Sequence, residues 1–153
     1  MNMLWFYTWC DGTWLGQAIR GVTWAFPLIE TLHIIALLVL LGGILMVDIS
    51  LLGGLRRLTP AHIMRQVKPF VNWSLVVILI TGVLLFLSEA LKAYDNDAFR
   101  PKVTLLAMAI LWHYTVHRRA ESSEIPGSGK IAALGSIALW FGVGVAGRAI
   151  GFV

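Results

Sequence analysis

One cysteine in 153 residues, Cys10, excludes an internal disulfide and leaves the redox compartment open. Charge is scarce as well. Asp, Glu, Lys and Arg make up 13% of the chain, against about a quarter in a soluble domain. Catalytic signatures are missing: there is no Ser-His-Asp set, no P-loop, no Cys-x-x-Cys, and no nucleophile paired with a base. An enzyme in its own right is therefore not expected. Gly142-Val-Gly144-Val-Ala-Gly147 matches G-x-G-x-x-G literally, but it sits inside an apolar run rather than between a strand and a soluble helix. The opening MNMLWFYTWC has neither a basic segment nor a small-residue cleavage site, so it does not read as a signal peptide and is expected to be retained.

What remains is apolar. Hydrophobic residues account for 58% of the chain, and the mean hydropathy is +0.80. Runs of about 20 apolar residues suffice to cross a bilayer. The chain is expected to be all-α: a single transmembrane domain over residues 1–153, an up-down four-helix bundle with spans at about 28–52, 70–91, 102–117 and 131–153. Trp5, Trp9, Trp14 and Trp24 crowd the first 26 residues, where such rings favour the headgroup layer. Residues 13–24 are read as a short interfacial helix with Thr13 as N-cap. Thr59-Pro60 reads as the start of a short surface helix containing His62.

The net charge of +4 does not imply nucleic acid, because Lys and Arg cluster at span edges. Arg56, Arg57, Arg65, Lys68, Arg118, Arg119 and Lys130 fall on one side of the bundle. By the positive-inside rule that side is cytoplasmic, which puts both termini on the periplasmic side of a bacterial inner membrane.

Ionisable groups within the spans fall in two layers. The outer one collects Glu30 and His33 from span one, Glu89 from span two, Lys102 from span three and Arg148 from span four. Two acids and two bases cancel there, leaving one titratable imidazole, the cheapest way to hold such groups in lipid. These five are the candidate cofactor-binding residues. The inner layer holds Asp48, His62, His113 and His117. His113 and His117 are at i and i+4, on one helix face, a spacing that can chelate a metal. The adjoining Arg118-Arg119 pair works against a divalent cation.

A b-type haem is the cofactor such a bundle brings to mind. Two axial imidazoles must lie at one depth. His33 stands roughly 14–20 Å from His113 and His117 along the bundle, by helical rise. Haem is therefore expected only through His33 with an open or non-His sixth position, Arg148 and Lys102 pairing with propionates. Ala138, Gly142 and Ala146, with Gly147 and Gly151, form faces that let helices approach closely.

Several segments together resemble a known family: Phe26-Pro-Leu-Ile-Glu30-Thr-Leu-His33, Val47-Asp48-Ile-Ser-Leu-Leu-Gly53, Thr81-Gly82, Phe99-Arg-Pro-Lys102 and Gly147-Arg148-Ala-Ile. They are similar to a family of small bacterial inner-membrane proteins described only as a domain of unknown function. The resemblance covers nearly the whole chain. It implies a four-span fold and points to the outer layer, and it brings no reaction with it. Ser50 stands where the family pattern has Arg.

Two functions compete. The first is a ligand-binding or electron-transfer-associated membrane protein, whose outer polar pocket holds a haem, a quinone or a metal ion. His33 would be the ligating or hydrogen-bonding group, Lys102 and Arg148 the anion partners and Glu30 the orienting acid. The second is a non-catalytic structural or assembly subunit of a larger membrane complex. Expected partners are the bilayer and, across the glycine faces, another membrane protein or a second copy.

Overall fold

The computed structural model describes residues 3–55, 59–117, 119 and 128–150. Among them there is helix and no strand. The helices are α1 (Leu4–Asp11), α2 (Trp14–Gly21), α3 (Ala25–Leu51), α4 (Pro60–Ser88), α5 (Ala90–Asp95), α6 (Phe99–Trp112), a π turn (His113–His117) and α7 (Ser128–Ala149).

Three of these, α3, α4 and α7, are long and apolar enough to cross a membrane, with mean hydropathies of 2.7, 2.5 and 1.5 over their most apolar windows. Only about a third of each window is buried within the protein. The rest is apolar surface, including Ile35, Leu38, Ile80, Leu134 and Phe141. A bilayer is the solvent that such a surface needs.

Local chemistry sets the helix ends. Thr13 and Thr59 each accept a hydrogen bond at 3.3 Å from the backbone N–H three residues on, Gly16 and His62. Pro60 then occupies the first position of α4, where a missing N–H costs nothing. Helix α3 closes in a Schellman motif: Gly54 N–H donates to Ile49 O and Gly53 N–H to Ser50 O, both at 2.9 Å. Gly53 has φ +87, a conformation that glycine adopts without strain.

The helices pack antiparallel. Helix α3 lies against both α4 and α7, and α6 lies against α7. Ala36, Leu40, Ile44, Val71, Leu75, Ile78, Ala109, Trp140 and Val143 form one core shared by all four. Glycines set close approaches within it. A Cβ on Gly43 would stand 2.8 Å from Val71 Cγ2, and one on Gly135 would overlap the Trp112 ring. The Trp112 indole N–H donates to Ala132 O at 3.0 Å, so that close contact also satisfies a backbone carbonyl.

The structure departs from the sequence expectations at several boundaries. The segment at 59–68 is no separate surface helix; it is the start of α4, continuous through Pro69. Proline there removes one backbone donor, and the helix passes from a polar to an apolar stretch at that point. Helix α4 ends at Ser88, because Glu89 leaves helical geometry at φ −137, ψ 36, and α5 then starts. The helix expected at 13–24 is α2, which stops early at Gly21, and a further helix, α1, precedes it. Helix α6 starts at Phe99, earlier than expected, and passes into the π turn at His113. Arg56, Arg57, Arg118, the residues 120–127 and the residues after 150 lie outside the described residues.

Helices α1 and α2 are docked on the junction of α4 and α5. Tyr7 packs edge-on against Phe86 and Tyr94, with ring centroids 5.6 and 5.2 Å apart. Arg20 closes the contact, donating to Ser88 O at 2.8 Å, to Asp11 Oδ1 at 3.1 Å and to Asp11 O at 2.7 Å. It thus supplies a cation to one of the open carbonyls at the end of α4.

Cys10 is buried under this cover at 2% exposure, and burial pushes its thiol up from the ordinary range. A water-soluble maleimide is therefore expected to label Cys10 very slowly at neutral pH in the folded protein and fully after denaturation. Fast labelling of folded protein would mean that α1 does not dock. A thiol with a raised folded-state pKa takes up more protons than the unfolded chain does, so its share of stability is present at neutral pH and declines as pH climbs through the ordinary thiol range.

Candidate functional site

The sequence placed five residues at one end of the spans. The structure brings part of that set together. His33 lies on α3 one turn beyond Glu30, and its Nδ1 is 2.8 Å from Thr81 Oγ1 on α4. The Thr81 hydroxyl sits 2.6 Å from Val77 O. A carbonyl cannot donate, so the hydroxyl proton goes to Val77 O and Thr81 Oγ1 accepts from His33 Nδ1–H. In the neutral ring this fixes the tautomer and leaves Nε2 a lone pair. Among the described residues Nε2 has no hydrogen-bond donor.

The His33 ring rests beside Gly82, where an added Cβ would lie 3.5 Å from Cε1. Glycine keeps that edge of the imidazole free of side-chain cover. Lys102, on the first turns of α6, extends past Gly147 of α7: a Cβ there would meet Lys102 Cε at 3.6 Å and Nζ at 3.9 Å. Lys102 and His33 lie toward the same end of the helices, beside Gly147 and Gly82. The Lys102 ammonium makes no hydrogen bond or ion pair with any described residue. Both side chains are half-buried. An acceptor and a cationic donor thus share one end of the helix packing, held by four different helices.

The remaining predicted residues sit differently. Glu89 pairs with Lys92 one turn along, on an exposed surface, and not with Lys102 or His33. Such a pair contributes little to stability. Glu30 is exposed on α3, and Arg148 is exposed on the last turn of α7, where it has an interaction of its own.

Asp48 is 1% exposed near the other end of α3, next in sequence to Val47, which packs with Ile63 and Met64. Fifteen residues separate it from His33, about 22 Å at the helical rise. His62 is exposed and bonds Gln66 at 3.0 Å, so it does not join Asp48 in the core. His113 is 4% exposed and meets the Tyr114 ring edge-on at 5.1 Å. The side chain of His117 lies outside the described residues. Among the described residues no three His, Cys, Asp or Glu side chains come together as a metal site.

Sequence reasoning read Thr81 and Gly82 only as part of a family pattern and Gly147 only as part of a helix-packing face, and gave none of them a place at the site. Thr81 had a visible signal, a hydroxyl inside an otherwise apolar span. Its partner could be known only once α3 and α4 were in register.

The fold and the site define a helical membrane-type protein with a threonine-held imidazole and an ammonium toward one end of its apolar helices. The family model for DUF6644, a family of unknown function, matches residues 6–153, and the chain belongs to that family. No curated protein and no solved structure matches it.

Proposed function

We propose that this is a four-span protein of the bacterial inner membrane, and that the end carrying His33 and Lys102 is a ligand-binding pocket in the outer leaflet, serving binding or electron transfer. Helix α6 with its π turn supplies the fourth span: nineteen residues at ~1.5 Å per residue reach roughly 28 Å, close to the ~30 Å hydrocarbon core. Arg65, Lys68 and Lys130 then flank the cytoplasmic side, with both termini periplasmic.

The observation that carries the reading is the Thr81–His33 hydrogen bond. A threonine that holds Nδ1–H frees Nε2 to ligate or to accept, and the Lys102 ammonium toward the same end supplies a donor or counter-charge. A bare divalent cation fits this pair poorly, because Lys102 repels it. Haem fits through Nε2, with Lys102 toward a propionate; a quinone fits as a hydrogen-bonding ligand. The second reading, a structural or assembly subunit, draws on the exposed face of Trp5, Trp9 and Trp14.

His33→Ala separates the two. Protein extracted in mild detergent is examined by visible spectrum and by solvent extraction for bound small molecules. The expected outcome is a co-purifying ligand that falls at least tenfold in His33→Ala at unchanged protein level. Equal ligand content in both proteins would overturn the pocket. Loss of cellular function that merely follows loss of protein would favour the structural reading.

A further inference from the structure

Helix α4 is joined to α6 and the π turn that follows it at two places. At one end Phe86 and Phe99 stack, with centroids 5.4 Å apart and planes at 14°. Toward the other, the Tyr114 hydroxyl donates to Asn72 Oδ1 at 3.1 Å. Fourteen residues of α4 separate these bridges, about 21 Å of helix. Between them the two backbones do not pack closely, in contrast to α3 on α4 and α6 on α7.

The residues on the Phe86–Asn72 face of α4 recur at helical spacing: Val76, Leu79 and Val83, which are 45%, 45% and 57% exposed. Val103, 48% exposed, stands on the facing side of α6 beside Lys102. These side chains give the seam an apolar, exposed lining on α4 and at Val103 of α6. At its upper end stand Lys102 from α6, and His33 behind the side-chain gap at Gly82. One turn beyond Gly82 on α4 and one turn before Lys102 on α6, Phe86 and Phe99 stack, with Tyr7 against Phe86 and Tyr94 against Tyr7.

We infer that the pocket is loaded sideways from the membrane through the α4–α6 seam, and that its ligand is a membrane-dissolved quinone or quinol. This rests on the proposed pocket and names its ligand class. The chemistry matches in three respects. His33 Nε2 accepts a hydrogen bond from a quinol hydroxyl. Lys102 Nζ donates to a quinone carbonyl oxygen, for which it has no competitor among the described residues. The apolar seam takes the hydrocarbon tail. A haem, by contrast, would have to pass two anionic propionates along the same apolar wall.

The test uses the full chain in phosphatidylcholine nanodiscs and an azido-substituted decylbenzoquinone as photolabel. Label is expected on peptides of α4 and α6 that include Val83 and Lys102, and excess decylbenzoquinone should compete it away. Lys102→Met and Val83→Trp should each lower competed labelling at least tenfold. Lys102→Arg, which keeps a donor, should recover part of the labelling lost in Lys102→Met, and Leu134→Trp, a change to the same bulky residue on exposed α7 surface, should leave it within twofold. Circular dichroism and size-exclusion profiles matching the parent protein qualify each variant.

Label that is not competed, or that falls outside the seam, overturns the quinone assignment. Unchanged labelling in Val83→Trp overturns the lateral route. If the quinone fails while a co-purifying ligand is still lost in His33→Ala, the pocket stands with a different ligand. If both fail, the pocket itself is wrong.

Discussion

Gly16→Ala is expected to destabilise the protein by about 1–3 kcal/mol, the cost of overpacking a close contact that cannot relax. Helix α2 crosses the end of α4 at this residue. A Cβ on Gly16 would overlap the carbonyl oxygen of Leu87 and crowd the Thr13 hydroxyl that caps α2. Backbone cannot swing aside as a side chain can, so α2 must lift. Lifting α2 pulls Arg20 from Ser88 O and uncovers Cys10, so maleimide labelling should rise alongside the fall in melting temperature. Gly21→Ala is the matched control. No atom lies within 4 Å of its Cβ position, so the substitution should be neutral or gain up to ~1 kcal/mol from helix propensity. Indistinguishable melting curves for the two variants would show that the N-terminal helices are not clamped to α4.

That clamp marks where sequence reading stopped. The apolar runs of α3, α4 and α7 were legible because a bilayer-length stretch rich in Leu, Ile and Val leaves few other options, and Thr59-Pro60 and Gly53 punctuated them. A common depth for Glu30, His33, Lys102 and Arg148 was an expectation legible from helical rise. Partner choice was not. Glu89 could be assigned a depth from the sequence, and its i,i+3 spacing to Lys92 was visible too, but periodicity did not choose Lys92 over Lys102 as its partner. Helix α1 was hidden for a related reason. Its aromatic residues suit the headgroup layer equally well as a coil or as a helix, and only the packing of Tyr7 between Phe86 and Tyr94 selects the latter.

Thr81→Val is expected to weaken ligand binding by roughly 5- to 30-fold, the effect of about 1–2 kcal/mol, because it leaves His33 Nδ1–H without its acceptor at little change in side-chain volume. The consequence can be read without knowing the ligand. With selectively 15N-labelled histidine, the parent protein should show His33 protonated at Nδ1 and bare at Nε2. In Thr81→Val the two neutral tautomers should mix, since nothing then ties the proton to Nδ1. Thr81→Ser retains the oxygen and should recover both the tautomer and most of the affinity. Should the parent ring prove protonated at Nε2 instead, the Thr81 hydroxyl would have to donate to His33, in competition with its 2.6 Å contact to Val77 O. The lone pair that the pocket relies on would then be spent within the protein. His33 would become a packing residue of α3 and α4, and Lys102 alone would be left facing the seam.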